Sequence, residues 1–595
     1  MSVRAMEDPS TPGGAPTLGA LLEEFGGAAL DARSGAALSP SDPRLSATPA
    51  DAHQDSRRVA PGDLFFGLPG HRVDGAGFVP EVLERGALAA LVPEGAEVAP
   101  AAPGPGAAGA SGAGAVGSGL AVSESAASEL PASGILWRHA RAADLVGPVS
   151  SRVHGSPDVA LDLVGITGTN GKTSVAHLAG ELLEAAGRRP AVLGTAGHRL
   201  AGPAGPVQVA ATHTTPEVTE LVRLMARHRS AGGDACLMEV SSHALVQGRV
   251  QGLELEVGAF TNLTREHLDY HGTMEAYGRA KARLWDHVRP GGTAVIAGHD
   301  DGARRMREAA EARGLRVLSV DVERAADLWA RDLEPVEGGT GLVLEGLVEE
   351  PAQVLLPLRG QHNVENALVA AGIAVSLGAD RRAVLRALGG VTAPPGRLEP
   401  VPLPDGLADR GFEVLVDYAH SPDALDRVLA SLRGRLDRAG RGRLLCVFGC
   451  GGDRDRGKRA EMGAAAARWS DLAVVTSDNP RSEDPAAIAR EVMRGATEAA
   501  GVPGAEPPVV ELDRRAAIAA ALGRARGGDV VLIAGKGHET TQTVAGESRP
   551  FDDRVVAAEV LAGLDVAVDA EVDAEVDPEM DTEVDTAAAG QGGAR

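Results

Sequence analysis

Leu161-Asp-Leu-Val-Gly-Ile166-Thr-Gly168-Thr-Asn-Gly171-Lys172-Thr173-Ser174-Val175 is the stretch on which the fold turns. Leu161–Ile166 is a short apolar run and reads as a buried strand. After the two glycines, Val175, Leu178, Leu182 and Leu183 recur at helical spacing and mark one face of a helix. A strand, a glycine turn and a helix opening on Lys-Thr form a phosphate cradle. The glycines let backbone N–H groups approach phosphate oxygens, and the helix N-terminus adds positive potential. Lys172 would hold the outer phosphates, with Thr173 reaching Mg²⁺ and Thr169, Asn170 and Ser174 completing the loop. Strict P-loop spacing places a glycine five residues before Gly171. That position is Ile166, so the loop is a shortened variant.

Outward from this stretch the pattern repeats. Ala235–Val240, Val257–Phe260 and Thr293–Ile296 read as further buried strands of a doubly wound α/β domain spanning residues 154–394. A second α/β series, Glu413–Val416, Arg443–Phe448, Leu472–Thr476, Val509–Leu512 and Asp529–Ala534, defines a domain over 395–564. An N-terminal domain occupies 18–153. An Ala/Gly/Pro/Ser stretch at about 95–133 interrupts it and is too poor in apolar groups to order itself. Beyond 564, Asp recurs every fourth residue from Asp565 to Asp585 with Glu interleaved. Mutual repulsion predicts a solvated, disordered acidic tail over 565–595.

The chain has 595 residues, too many for one core, and a formal charge of −24, which speaks against nucleic acid or anionic membrane as a partner. It has no apolar run of about 18 residues and no basic, apolar leader, so a cytoplasmic protein without membrane insertion is expected. The three cysteines, Cys236, Cys446 and Cys450, lie in or beside apolar strands and read as buried thiols.

Lysine use narrows the chemistry. Only four of the 58 basic residues are lysine: Lys172, Lys281, Lys458 and Lys536. Where arginine does nearly all surface work, a retained ammonium points to a site that a guanidinium cannot serve. All four lie in polar, glycine- or acid-rich clusters. Glu239-Val-Ser-Ser-His243 and Thr261–His271 follow predicted strands, where α/β sheets place ligands, and a carboxylate and an imidazole there suit a hydrated Mg²⁺. In the last domain Gly449-Cys-Gly451-Gly452 fails the dinucleotide spacing, because Arg454 stands where Gly or Ala is needed. The charged loop Asp453–Arg459 and Asp478-Asn479-Pro480-Arg481 instead suit an anionic small substrate.

Together these segments resemble the Mur ligase family, most closely its MurE branch, which adds the third amino acid to UDP-MurNAc-L-Ala-D-Glu. The resemblance runs from Asp55 to Asp553. It rests on Gly165–Thr173, Thr214-Thr-Pro216, Glu239–His243, Thr261–Thr264, His362-Asn-Val-Glu-Asn366, Gly396-Arg-Leu-Glu399, Asp417-Tyr-Ala-His420, Gly449–Arg454, Asp478–Arg481 and Gly535-Lys-Gly-His-Glu539. It implies an α/β protein of three domains: a nucleotide-sugar domain, a central P-loop-like ATPase domain and a C-terminal Rossmann-like domain. It also implies an ATP- and Mg²⁺-dependent amide-bond ligase working through an acyl phosphate, expected as a monomer.

By the same resemblance, Ser56, His71, Arg72 and Val73 would contact the uridine nucleotide. Thr214, Thr215, Ser241, Gln247 and Arg249 would hold the muramoyl dipeptide. Thr173 and Glu239 would ligate one Mg²⁺, and His267 and a carboxylated Lys281 a second. Gly168, Gly171, Asn363, Asn366, Arg397, Asp417 and His420 would face the ATP. Arg454, Asp478, Asn479, Pro480, Arg481, Gly535 and Glu539 would receive the incoming diaminopimelate, with Arg481 gripping its distal carboxylate. L-Lysine as the added amino acid, a folylpolyglutamate-type ligase and an inactive ATP-binding regulator are the alternatives.

Overall fold

The structure is a computed structural model that describes residues 15–70, 73–98, 134–211, 213–336, 338–408 and 410–575. It is an α/β protein with three main sheets. Contacts divide the chain into two units, residues 1–394 and 395–595.

The first unit holds two of the sheets. The N-terminal one runs in the order Ala28–Asp31, Ile135–His139, Ala89–Pro93, Leu64–Phe66, Ala52–His53. All its pairings are parallel except that of Ala28–Asp31 with Ile135–His139. Most of the 95–133 interruption, residues 99–133, lies outside the described residues, as do His71 and Arg72.

The central sheet has eleven strands. Seven consecutive ones are parallel, in the order Leu328–Val336, Arg316–Val322, Val288–Ala297, Leu255–Phe260, Asp162–Thr167, Ala235–Glu239, Pro190–Gly194. Leu163 and Val164 point to opposite faces and join different apolar clusters, so both faces are covered. This explains why these strands read as unbroken apolar runs. After Pro190–Gly194 the chain returns to insert Ala235–Glu239 and then crosses to the far side of Asp162–Thr167. The reversal falls on the strand that carries the phosphate loop, where open α/β sheets bind ligands.

The second unit is a six-stranded sheet in the order Glu399–Pro400, Glu413–Asp417, Val530–Ala534, Leu444–Cys450, Leu472–Ser477, Val509–Val510, parallel except at its first pair. Apolar clusters again cover both faces. Cys236, Cys446 and Cys450 are buried free thiols, with burial pushing each up to about 12.

The acidic segment needs a correction. Helix Asp553–Glu575 runs through its first half, so residues 565–575 are helical rather than without structure. The helix is anchored by Val556, Ala557 and Leu561, which are buried in the core, and it propagates from there despite the acids. Residues 576–595 lie outside the described residues. Among the described residues no helix is long and apolar enough to cross a membrane.

Candidate active site

The phosphate loop leaves strand Asp162–Thr167 through Gly168, at φ +148°, and enters helix Lys172–Ala185 through Gly171, at φ +88°. Neither glycine can be replaced freely. A Cβ on Gly168 would lie 1.9 Å from Thr261 Oγ1, and one on Gly171 2.4 Å from Asn366 Oδ1. Asn262, just past the neighbouring strand, pins the loop. Its Oδ1 accepts from Asn170 N at 2.9 Å and its Nδ2 donates to Asn170 O at 3.1 Å. The Lys172 ammonium folds over the loop, donating to Gly168 O at 2.9 Å and Thr169 O at 2.8 Å. The first helical turn contains Thr173 and Ser174, both buried, and no acid, so its positive end is not neutralised locally.

Glu239 ends the adjacent strand and is almost fully buried. One carboxylate oxygen accepts from Thr173 Oγ1 at 3.0 Å and from Thr195 N at 2.8 Å; the other accepts from Thr195 Oγ1 at 3.2 Å. The phosphate-loop threonine and a buried carboxylate are therefore in direct contact. Thr195 Oγ1 also lies 3.0 Å from Thr214 Oγ1, whose hydroxyl can donate to it. Thr215 Oγ1 donates to Glu239 O at 2.8 Å and accepts from Ser241 N at 3.1 Å, while Arg249 donates to Thr215 O at 2.9 Å. Thr214, Thr215, Ser241 and Arg249 thus form one polar rim beside Glu239. Gln247 is the exposed C-cap of helix Ser242–Val246, and no side-chain hydrogen bond joins it to this rim among the described residues.

On the other side lies an aromatic and imidazole cluster. His243 stands 4.7 Å from His267 and 5.5 Å from His271, ring centre to ring centre, and Tyr277 lies 5.0 Å from His271. Lys281 is buried with its Nζ 4.3 Å above the Tyr277 ring. The Tyr277 hydroxyl lies 3.3 Å from Thr169 Oγ1, which links this cluster to the phosphate loop. Burial, with Lys172 nearby, holds the Lys281 amine well below its usual range. Burial, then His267, lowers His243 to about 4, and burial also lowers His267. At neutral pH these imidazoles are uncharged, so their ring nitrogens can ligate. Asn363 and Asn366 are buried one helical turn apart at the start of helix Gln361–Ser376. In the N-terminal sheet domain, Ser56 opens a short 3₁₀ turn and Val73 is exposed.

In the second unit the Asp417 carboxylate is buried, and accepts from Leu398 N at 2.7 Å and Ala419 N at 2.8 Å. It thereby fixes the loops that carry Arg397 and His420. Arg397 lies over the Tyr418 ring at 4.6 Å, and His420 packs against the same ring at 4.5 Å. Past strand Leu472–Ser477, Asn479 donates to Glu539 Oε2 at 2.8 Å, and Lys536 donates to the same oxygen at 3.3 Å. Burial, then Asp478, raises the proton affinity of Glu539, against the pull of Lys536. Gly535 leaves room for Asp478, whose Oδ2 would be 2.6 Å from a Cβ there.

Arg481, at φ +53°, follows Pro480 and donates through Nη1 to Gly452 O at 2.7 Å. Arg454 is exposed beside Gly451. Neither Arg454 nor Arg481 forms an ion pair with a carboxylate among the described residues, although hydrogen bonds with Ser482, and then the Arg481 charge, hold the Asp453 carboxyl below its usual range. The loop Asp453–Arg459 is not uniformly open to an anion, because Arg459 is buried against Glu483 at 2.8 Å and Glu491 at 3.0 Å. The glycines before it answer to packing: a Cβ on Gly452 would lie 1.9 Å from Pro480 O.

Comparison with known proteins gives this geometry a family. Three family models match in order: the Mur ligase family catalytic domain over residues 53–138, the Mur ligase middle domain over 166–374, and the Mur ligase glutamate ligase domain over 396–537. The chain belongs to the Mur ligase family. A UDP-N-acetylmuramoyl-L-alanyl-D-glutamate–2,6-diaminopimelate ligase of Gloeobacter violaceus is 40% identical over 515 residues, covering 85% of this chain and 93% of the relative. One of the same name from Solibacter usitatus is 41% identical over 515 residues, covering 86% and 92%. A solved structure with that name superposes at a TM-score of 0.60 with 30% identity, covering 90% of this chain and 99% of the other.

Two residues of this Mur ligase that touch the buried carboxylate carry no signal in the sequence. Thr195 orients Glu239 through both its backbone and its hydroxyl, yet a threonine after a strand matches no motif. Gly194 is required because a Cβ would lie 2.0 Å from Glu239 Oε1. Tyr277, which connects Thr169 to Lys281, is likewise visible only in three dimensions.

Proposed function

We propose that this Mur ligase joins diaminopimelate to UDP-MurNAc-L-Ala-D-Glu, cleaving ATP to ADP and phosphate, as a cytoplasmic monomer. The observation that carries the choice of amino acid is Arg481, a guanidinium at a strand end that forms no ion pair with a carboxylate among the described residues, beside the Asn479–Glu539–Lys536 network. A guanidinium there suits a substrate with a distal carboxylate, and the names of the relatives agree. L-Lysine would leave that arginine uncompensated and is disfavoured.

Thr173 and Glu239 offer two hard oxygens in contact, which fits Mg²⁺. Among the described residues no three or more His, Cys, Asp or Glu are arranged so that they alone could hold a metal ion, so such an ion would keep water and nucleotide oxygens as its remaining ligands. His267 and Lys281 would serve a second ion, Lys281 as a carbamate. Burial favours the neutral amine, which is the form that takes up CO₂. When bound, Mg²⁺ would neutralise phosphate charge. The loop amides and Lys172 cradle the phosphates, and Asn363 and Asn366 face the nucleotide. Transfer of the γ-phosphoryl group to the substrate carboxylate turns a poor electrophile into an acyl phosphate. The neutral amine of diaminopimelate then forms the amide and phosphate leaves.

Hydroxylamine tests this reading. With ATP and the muramoyl dipeptide but no amino acid, it should trap a hydroxamate. ADP appearing only with the amino acid present, and no hydroxamate, would exclude the stepwise route.

A further inference from the structure

The loops after two neighbouring parallel strands, Val288–Ala297 and Arg316–Val322, line with helix Asp301–Ala312 a half-open cavity of about 410 Å³. Sites for small molecules occupy roughly 300–1,000 Å³. The cavity lies on the carboxyl side of the sheet, the side used for ligands in this topology. Its charged and polar walls are His299, Arg304, Arg307, Ser319, Asp321 and Arg324.

The charges on its walls decide what it can hold. Asp321, the one carboxylate, is buried and has His299 Nδ1 2.8 Å from its Oδ2. Ser319 Oγ donates to Asp327 at 2.6 Å, and Arg304 is shared between Glu308 at 2.7 Å and Asp301 at 3.3 Å. The guanidinium groups of Arg307 and Arg324 meet no hydrogen-bond or ion-pair partner among the described residues. Arginine is this chain's ordinary surface base, so its presence alone means little. Arg313 pairs with Asp286 and Arg331 with Glu345, whereas the guanidinium of Arg305 on the same helix, like those of Arg307 and Arg324, meets no acid among the described residues; what sets Arg307 and Arg324 apart is that both line the cavity. In a chain of net charge −24, two unpaired guanidiniums from different elements converge on one cavity.

We infer that this cavity binds a small phosphate-bearing anion, with Arg307 and Arg324 as its two cationic contacts. Planar guanidiniums grip phosphate oxygens through paired hydrogen bonds, and two of them match a doubly charged phosphate. None of the phosphate-loop residues lines this cavity, and the inference does not depend on the proposed reaction.

Pyrophosphate is the probe, titrated calorimetrically into the full-length Lys172→Ala protein so that the phosphate loop contributes little. Binding should be present there and weaken at least about tenfold when Arg307→Ser and Arg324→Ser are added. Arg305→Ser, an exposed change on the same helix, should leave it unaltered. Citrate should bind more weakly than pyrophosphate. In the otherwise native enzyme, Arg307→Ser with Arg324→Ser should keep ligase turnover. No binding to the Lys172→Ala protein, binding indifferent to the two substitutions, citrate equal to pyrophosphate, or lost turnover would each overturn the inference.

Discussion

Arg481 sits in a left-handed backbone conformation behind Pro480, and one of its guanidinium nitrogens is already committed to Gly452 O. It therefore braces its loop and presents charge at the same time. Removing one partner of a buried charged pair costs roughly 2–5 kcal/mol, or about thirty- to several-thousand-fold in catalytic efficiency. Arg481→Ala should lower kcat/KM for diaminopimelate on that scale while changing the apparent affinity for ATP little. An equal loss in both would mean that the residue only holds its loop. Lys281 makes a second residue-level prediction. Lys281→Ala should be nearly inactive and regain activity with added short carboxylic acids, which supply the missing anionic oxygens. An active Lys281→Arg enzyme would contradict the carbamate, because a guanidinium cannot be carboxylated in this way.

At the scale of elements, the phosphate loop depends on backbone space more than on side chains. Gly168→Ala would set a Cβ 1.9 Å from Thr261 Oγ1 at φ +148°. Strain of this kind costs about 1–3 kcal/mol, so the loop should re-form away from Asn262 and bind nucleotide weakly. Titration with a fluorescent ADP analogue checks this, and wild-type affinity in Gly168→Ala would contradict it. The buried parallel strands were legible because residues covered on both faces are apolar throughout, as in Ala235–Glu239 and Val530–Ala534. The N-terminal sheet was not resolved into strands from sequence, since Ala52–His53 and Leu64–Phe66 are too short to show a period. The helix through residues 565–575 was missed because local repulsion is outweighed by anchoring on Val556, Ala557 and Leu561. Lys172, Lys281 and Arg481 stood out through scarcity or motif. Thr195 did not, because its importance lies wholly in its contacts with Glu239.

For the whole molecule, several half-buried or buried histidines bind protons less readily in the fold than in the open chain: His198, His228, His243, His267, His271 and His287, burial being the first cause in each. An unfolded histidine titrates near 6.5, whereas His243 does so at about 4. Between those values the unfolded chain binds more protons, so stability falls as the pH drops below about 6.5 and this loss levels off near 4. His243 alone should account for about 2 kcal/mol or less, given its partial exposure. The thermal unfolding midpoint should decline from pH 7 to 4.5, and His243→Asn should flatten that decline. A midpoint indifferent to pH over this range would contradict it. The central claim is the reaction itself. Its most direct measurement is phosphate release by the full-length protein with ATP, Mg²⁺ and UDP-MurNAc-L-Ala-D-Glu against a panel of amino acids. Release should depend on diaminopimelate and be far slower with L-lysine. Equal turnover of L-lysine, or no release with any amino acid, would contradict the account.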